Sequence, residues 1–144
     1  MDNLYLRYRS QRKGKFGLEI EEIEIINNYI YFVNFSIYNG LEPIFLSYKI
    51  GNILLLFIFK LLFEYNIINE KIHINDKIDF SEYQEFEVFF EKTHISFRIP
   101  RILPYYKILG FRDPIKTQKI FKFLTKLKSI IMYITRTLYT DGLI

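Results

Sequence analysis

The chain has no cysteine, no tryptophan and no alanine, and only two histidines. Without cysteine there is no disulfide framework, no thiolate metal site and no thiol nucleophile. His73 and His94 each alternate with apolar neighbours, and neither has a carboxylate or a second histidine at metal-ligand spacing. Both read as sheet-surface or partly buried histidines, and no metal site is expected. The six glycines are scattered and build no loop that could cradle a phosphate. Long apolar runs are scarce too. The most apolar stretch, 53–63 (ILLLFIFKLLF), is broken by Lys60. It is too short for a bilayer, which takes about 20 apolar residues. It reads as a buried helix, so no membrane partner is expected. Basic residues open the chain, but no apolar run of signal type follows them.

What is present is a chain of 144 residues, half of them apolar. That suffices for one domain, or for two small subdomains sharing a core. Fifteen phenylalanines and twelve tyrosines accompany abundant Ile, Asn and Lys. Such usage follows A- and T-rich codons and points to an AT-rich genome, often an organellar one. With no targeting segment, synthesis inside the organelle is the expectation. The net charge of +4 hides an asymmetry. Residues 64–91 hold eight acids against Lys71 and Lys77, whereas 92–136 hold eleven Lys and Arg against Asp113. A basic half on a small protein is an electrostatic footprint for a polyanion, nucleic acid first. A solvated lysine face is the plainer alternative. Glu82, Glu85, Glu87 and Glu91 read as a wet strand face, and no nucleophile stands beside a base. No catalytic residues, cofactor or small-molecule substrate are therefore expected.

Along the chain, residues 1–27 look like an appendage: a basic arm to Lys15, then a strand at 18–26 (LEIEEIEII) that alternates apolar and acidic. Residues 27–40 are ambiguous. Their aromatic and β-branched content favours a strand. Ile30, Val33 and Ile37 also fit one helical face, with Asn28 as a start and Gly40 as a stop. A strand at 44–50 precedes a helix that Asn52 caps, with Lys60 and Glu64 one turn apart on its wet stripe. Strands are expected around 70–76, 82–92 and 94–99, then a loop rich in Pro and Gly at 100–114. Residues 115–129 form an amphipathic helix, with Ile120, Leu124 and Leu127 on one face and Lys119, Lys122 and Lys126 on another. A last strand, 130–134, runs into a hydroxyl-and-basic loop.

This order of elements resembles the bacterial-type small-subunit ribosomal protein eight. The stretch 28–40 (NYIYFVNFSIYNG) aligns without a gap on that family's opening helix, D-P-I-A-D-M-L-T-R-I-R-N-G. ILGFR, 108–112, stands where the family has R-P-G-L-R. YITRTLYTD, 133–141, resembles its signature S-T-S-K-G-V-M-T-D, with Thr135, Arg136, Thr140 and Asp141 in place. Ile134 and Thr137 depart from it, and the family's final strand has no counterpart.

The resemblance implies an α+β fold of two small subdomains, with N-terminal helices packed on a small sheet and a C-terminal part that is mostly β with one short helix. The division would be 1–27 (extension), 28–82 and 83–144. It implies a structural protein of a mitochondrial small ribosomal subunit, in the matrix, that binds the central domain of small-subunit rRNA during assembly and touches neighbouring ribosomal proteins. RNA contacts would come from Tyr133, Thr135, Arg136 and Thr137, from Lys107, Gly110 and Arg112, and from Asn28, Ser36, Tyr38, Asn39 and Asn52. Lysines and arginines would meet phosphates, short hydroxyls would reach riboses and bases, and Tyr133 would stack on a base. The alternative reading is a small protein-binding module, such as a toxin-neutralising immunity protein. An accessory subunit of a membrane complex is a third reading, argued against by the length of 53–63.

Overall fold

A computed structural model describes residues 4–15, 17–37, 43–67, 82–100 and 114–140, with Pro100, Pro114 and 134–140 as backbone only. Six strands form one sheet: β1 (Tyr5–Gly14), β2 (Gly17–Ile26), β3 (Tyr29–Ser36), β4 (Ile44–Lys49), β5 (Tyr83–Phe90) and β6 (Thr93–Pro100). Two helices are described, α1 (Asn52–Glu64) and α2 (Pro114–Thr140). The strand order is β4-β3-β2-β1-β5-β6, and every pairing is antiparallel.

The arm expected as an appendage is an inner strand. β1 pairs with β2 on one side and with β5 on the other. Its sequence, LYLRYRSQ, alternates strictly. Leu4, Leu6, Tyr8 and Ser10 are buried, while Tyr5, Arg7, Arg9 and Gln11 point the other way. Five charges among residues 7–15 disguise this alternation as a solvated arm. The sheet takes strands from each of the three expected segments, 1–27, 28–82 and 83–144.

The expected α+β fold, with N-terminal helices on a small sheet, is corrected. The described part is a mostly β protein whose N-terminal elements are four consecutive strands. Residues 29–36 settle as strand because the tight turn at Asn27–Asn28 registers them on β2, Ile30 opposite Ile25 and Phe32 opposite Ile23. Asn27 takes the left-handed conformation (φ 55°) that asparagine tolerates in such turns. The second correction lies at the C-terminal end. The strand and loop expected from 130 onward are helix, a continuation of α2. Leu127 and Ile131 extend the buried stripe of Ile120, Phe123 and Leu124, so a helical repeat outweighs the β-branched run. The strand expected around 70–76 and the loop at 100–113 lie outside the described residues.

Gly51, not Asn52, is the N-cap of α1, and no side chain caps it. Its C-terminal end is closed by backbone. Asn66 N–H donates to Phe63 C=O at 3.0 Å and Ile67 N–H to Leu62 C=O at 3.0 Å, with Asn66 at φ 54°. This paired arrangement satisfies carbonyls that the helix leaves open, and it drives Ile67 into full burial.

Both helices contribute to one core on the face of the sheet that carries Leu6, Tyr8, Ile23, Ile25, Ile30, Phe86 and Val88. Phe123 of α2 meets Phe86 edge-on at 5.2 Å between ring centroids, and Phe59 of α1 meets Phe90 at 4.8 Å. Within this core the Tyr8 hydroxyl donates to Gln84 Oε1 at 2.8 Å. The opposite face carries a charge lattice over β1, β2 and β5, flanked on β3 and β4 by the exposed aromatics Tyr29, Tyr31, Phe35 and Phe45. Arg7 lies between Glu24 and Glu87 in register, and Arg9 between Glu22 and Glu85. Glu85 pairs with Arg7 at 3.8 Å and Arg98 at 3.5 Å, and Arg98 stacks on the Tyr83 ring at 3.6 Å.

Candidate partner-binding site

The helical layer leaves much apolar surface uncovered. Along α1, Leu55, Ile58, Phe59, Leu61 and Leu62 face the core, yet Ile53, Leu56, Phe57 and Phe63 lie in solvent, Ile53 at 85% exposure. A helix that is apolar almost all round has more apolar surface than its own core uses. Where the first turns of α1 approach α2 they leave a groove of about 680 Å³. It is lined by Gly51, Ile53, Leu54 and Phe57 on one side and by Ser129, Ile130 and Tyr133 on the other. Tyr133 stands 72% exposed at its rim. A second recess of about 470 Å³ shares Ser129 and Tyr133 and adds Glu21, Lys128 and Met132. Lys128 Nζ lies 3.7 Å from Glu21 Oε2 there.

The electrostatics of the layer follow from its sequence. Together α1 and α2 hold six Lys and one Arg against the single acid Glu64. Lys126 lies 5.2 Å from the centre of the Tyr65 ring. Its pKa is raised, chiefly by a hydrogen bond with Tyr65, so it stays cationic. Among the described residues no group of three or more His, Cys, Asp or Glu is placed to hold a metal ion. No described helix is long and apolar enough to cross a membrane.

Among the described residues, the expected RNA contacts stand on separate elements. Tyr133 lines the groove, and Asn52 sits between two of its lining residues. Thr135, Arg136 and Thr137 belong to helix α2 and form no loop. Asn28 is in the β2–β3 turn, where its carbonyl accepts from Ile50 N–H at 2.7 Å. Ser36 ends β3 opposite Glu19. Tyr38, Asn39, Lys107, Gly110 and Arg112 lie outside the described residues. The sequence reading missed Ile53, Phe57 and Ile130. The available signal was the surplus of apolar residues on α1, more than one buried face can use.

The sequence model of the Mago nashi protein family matches residues 4–140. The chain belongs to the Mago nashi family. No curated protein matches the sequence. The Mago nashi match spans β1 to α2, all of the described fold, and overturns the ribosomal resemblance. Two segments that carried that resemblance also have the wrong structure: 29–36 is strand rather than helix, and 133–140 is helix rather than loop. Mago nashi proteins belong to mRNA processing, as protein-binding modules of the exon junction complex. A mitochondrial ribosomal location, small-subunit rRNA and neighbouring ribosomal proteins as partners are corrected accordingly. The immunity-protein alternative is likewise unsupported.

Proposed function

We propose that this Mago nashi family member is a non-catalytic, protein-binding component of an exon junction complex, and that it holds its partner protein on the helical layer. The observation that carries the reading is the groove between α1 and α2. It is apolar, it is open, and it is bordered by Ile53, Phe57 and Tyr133, all exposed. Contiguous apolar surface with an aromatic rim is the usual make-up of an interface centre, and truncating such anchors removes much of the binding energy. The helical side is chosen because its exposed apolar side chains border a groove, whereas on the sheet's far face exposed Tyr31 and Phe45 lie beside the ion-paired Arg7, Glu85 and Arg98.

The test is affinity purification of the tagged chain from its own cells, wild type beside Phe57→Asp. The wild type is expected to recover exon junction complex proteins in a ribonuclease-resistant association. Phe57→Asp, at a half-exposed position, should lose them by at least about thirtyfold while keeping the wild-type circular dichroism spectrum. Undiminished recovery with Phe57→Asp would place the partner elsewhere on the molecule.

A further inference from the structure

The groove is one end of a longer surface. On α2, Lys119, Lys122, Lys126, Ile130 and Tyr133 follow one another at steps of three or four residues, so they share one side of the helix. Tyr133 and Ile130 line the groove. Lys126 and Lys122 continue the same side toward the start of α2, both exposed. α1 runs alongside this end too: Tyr65, just past its last turn, contacts both Phe123 and Lys126. Among the described residues, two carboxylates lie near this row: Glu64, whose charge acts on Lys126, and Glu21, which pairs with Lys128 in the recess shared with Tyr133. Lys60 precedes Glu64 by one helical turn. Among the described residues, Lys60, Lys119, Lys122 and Lys126 outnumber Glu64 on the approach to the groove from the start of α2.

From this we infer the chemistry of the partner: a protein segment that seats an apolar side chain in the groove and lays flanking carboxylates along the Lys122–Lys126 side of α2. The inference rests on the groove being the docking site. It adds which segments the groove selects. An apolar groove supplies affinity but little orientation, since dispersion and desolvation have no direction. A row of like charges beside it supplies direction and repels basic competitors. A protein segment fits better than a nucleic acid, because the groove at the end of the row presents isoleucine, leucine and phenylalanine to its occupant. The pinned charge of Lys126 serves the same end. Its ring contact with Tyr65 holds the ammonium in place before a partner arrives, which lowers the ordering cost of binding.

The probes are fluorescein-labelled peptides with one Leu-Phe anchor flanked by glutamates, by serines or by lysines, and a labelled oligouridylate. Binding to the full chain is read by anisotropy at low and at high salt. The glutamate-flanked peptide should bind about tenfold tighter than the serine one at low salt, and the gap should narrow as salt rises. The double variant Lys122→Glu/Lys126→Glu should weaken the glutamate peptide about tenfold and leave the serine peptide unchanged. Phe57→Asp should weaken every peptide. If all three peptides bind alike and all fail with Phe57→Asp, the inference is overturned and the groove reading stands. If Phe57→Asp leaves binding intact, or no peptide binds the wild type, both fail. If the oligouridylate binds tighter than the glutamate peptide and displaces it, the lysine row is a nucleic-acid contact and the inference is overturned.

Discussion

On the helix-bearing face of the sheet, β1 contributes Leu6, Tyr8 and Ser10; on the other face the same strand contributes Arg7, Arg9 and Gln11. The first set is buried under α1 and α2. The second stands in a grid of glutamates from β2 and β5. One strand thus serves two physical regimes. Burial of apolar area holds the covered face, and each methylene removed from water contributes about 0.8 kcal/mol. Half-exposed ion pairs hold the other, and such pairs contribute about 0–1 kcal/mol each. The covered face fixes the fold, while the charge grid fixes which strands may lie side by side. A one-residue slip of β1 would set arginine into the core and leucine against glutamate.

Substitutions can break this comparison, and the largest effect belongs to the covered face. Phe123→Ala removes a fully buried ring that touches Phe86 and Tyr65, and is expected to cost about 3–5 kcal/mol in urea unfolding. Tyr8→Phe keeps the ring but removes the buried hydroxyl that reaches Gln84, for a loss of about 1–2 kcal/mol by the same measurement. On the charge grid, Glu85→Ala strips a partner from both Arg7 and Arg98 and should cost about 0.5–1 kcal/mol, shrinking in high salt. Phe45→Ser, on the same open side at 71% exposure, should shift stability by no more than about 0.5 kcal/mol. A loss at Glu85 that matched the one at Phe123 would erase the distinction between the faces.

Sequence periodicity served best where one period acted alone. Glu22 to Ile25 alternate in β2, with Ile23 and Ile25 buried; Ile120, Leu124 and Leu127 repeat helically and are buried in α2. It served worst where two periods overlapped. Ile30 and Val33 satisfy a helical spacing, but the pleat sends Ile30 inward and Val33 to the other face, a choice that only pairing with β2 makes. Ile130, Ile131 and Ile134 carry β-branched side chains, but α2 already had its stripe and kept it. β1 was hidden by its own charges, because the glutamates that stand opposite Arg7 and Arg9 in register come from two other strands. Of the residues lining the groove, the sequence singled out Tyr133, and for stacking on a base rather than for a groove between helices. A groove needs two helices to meet, and their meeting is not written in either one.

The place of β1 also bears on how the chain is made. Its first neighbour, β2, follows after a short turn, but its second, β5, begins at residue 83. While the chain is emerging, β1 to β4 can form a meander whose last strand is β1, with a full row of unpaired amides and carbonyls. Closure waits on a contact across more than half the sequence, the kind that slows folding. In that interval the outward arginines guard the open edge, since charge on an edge strand deters joining with a stranger. The same residues that later answer glutamates first keep the unfinished sheet from recruiting the wrong one.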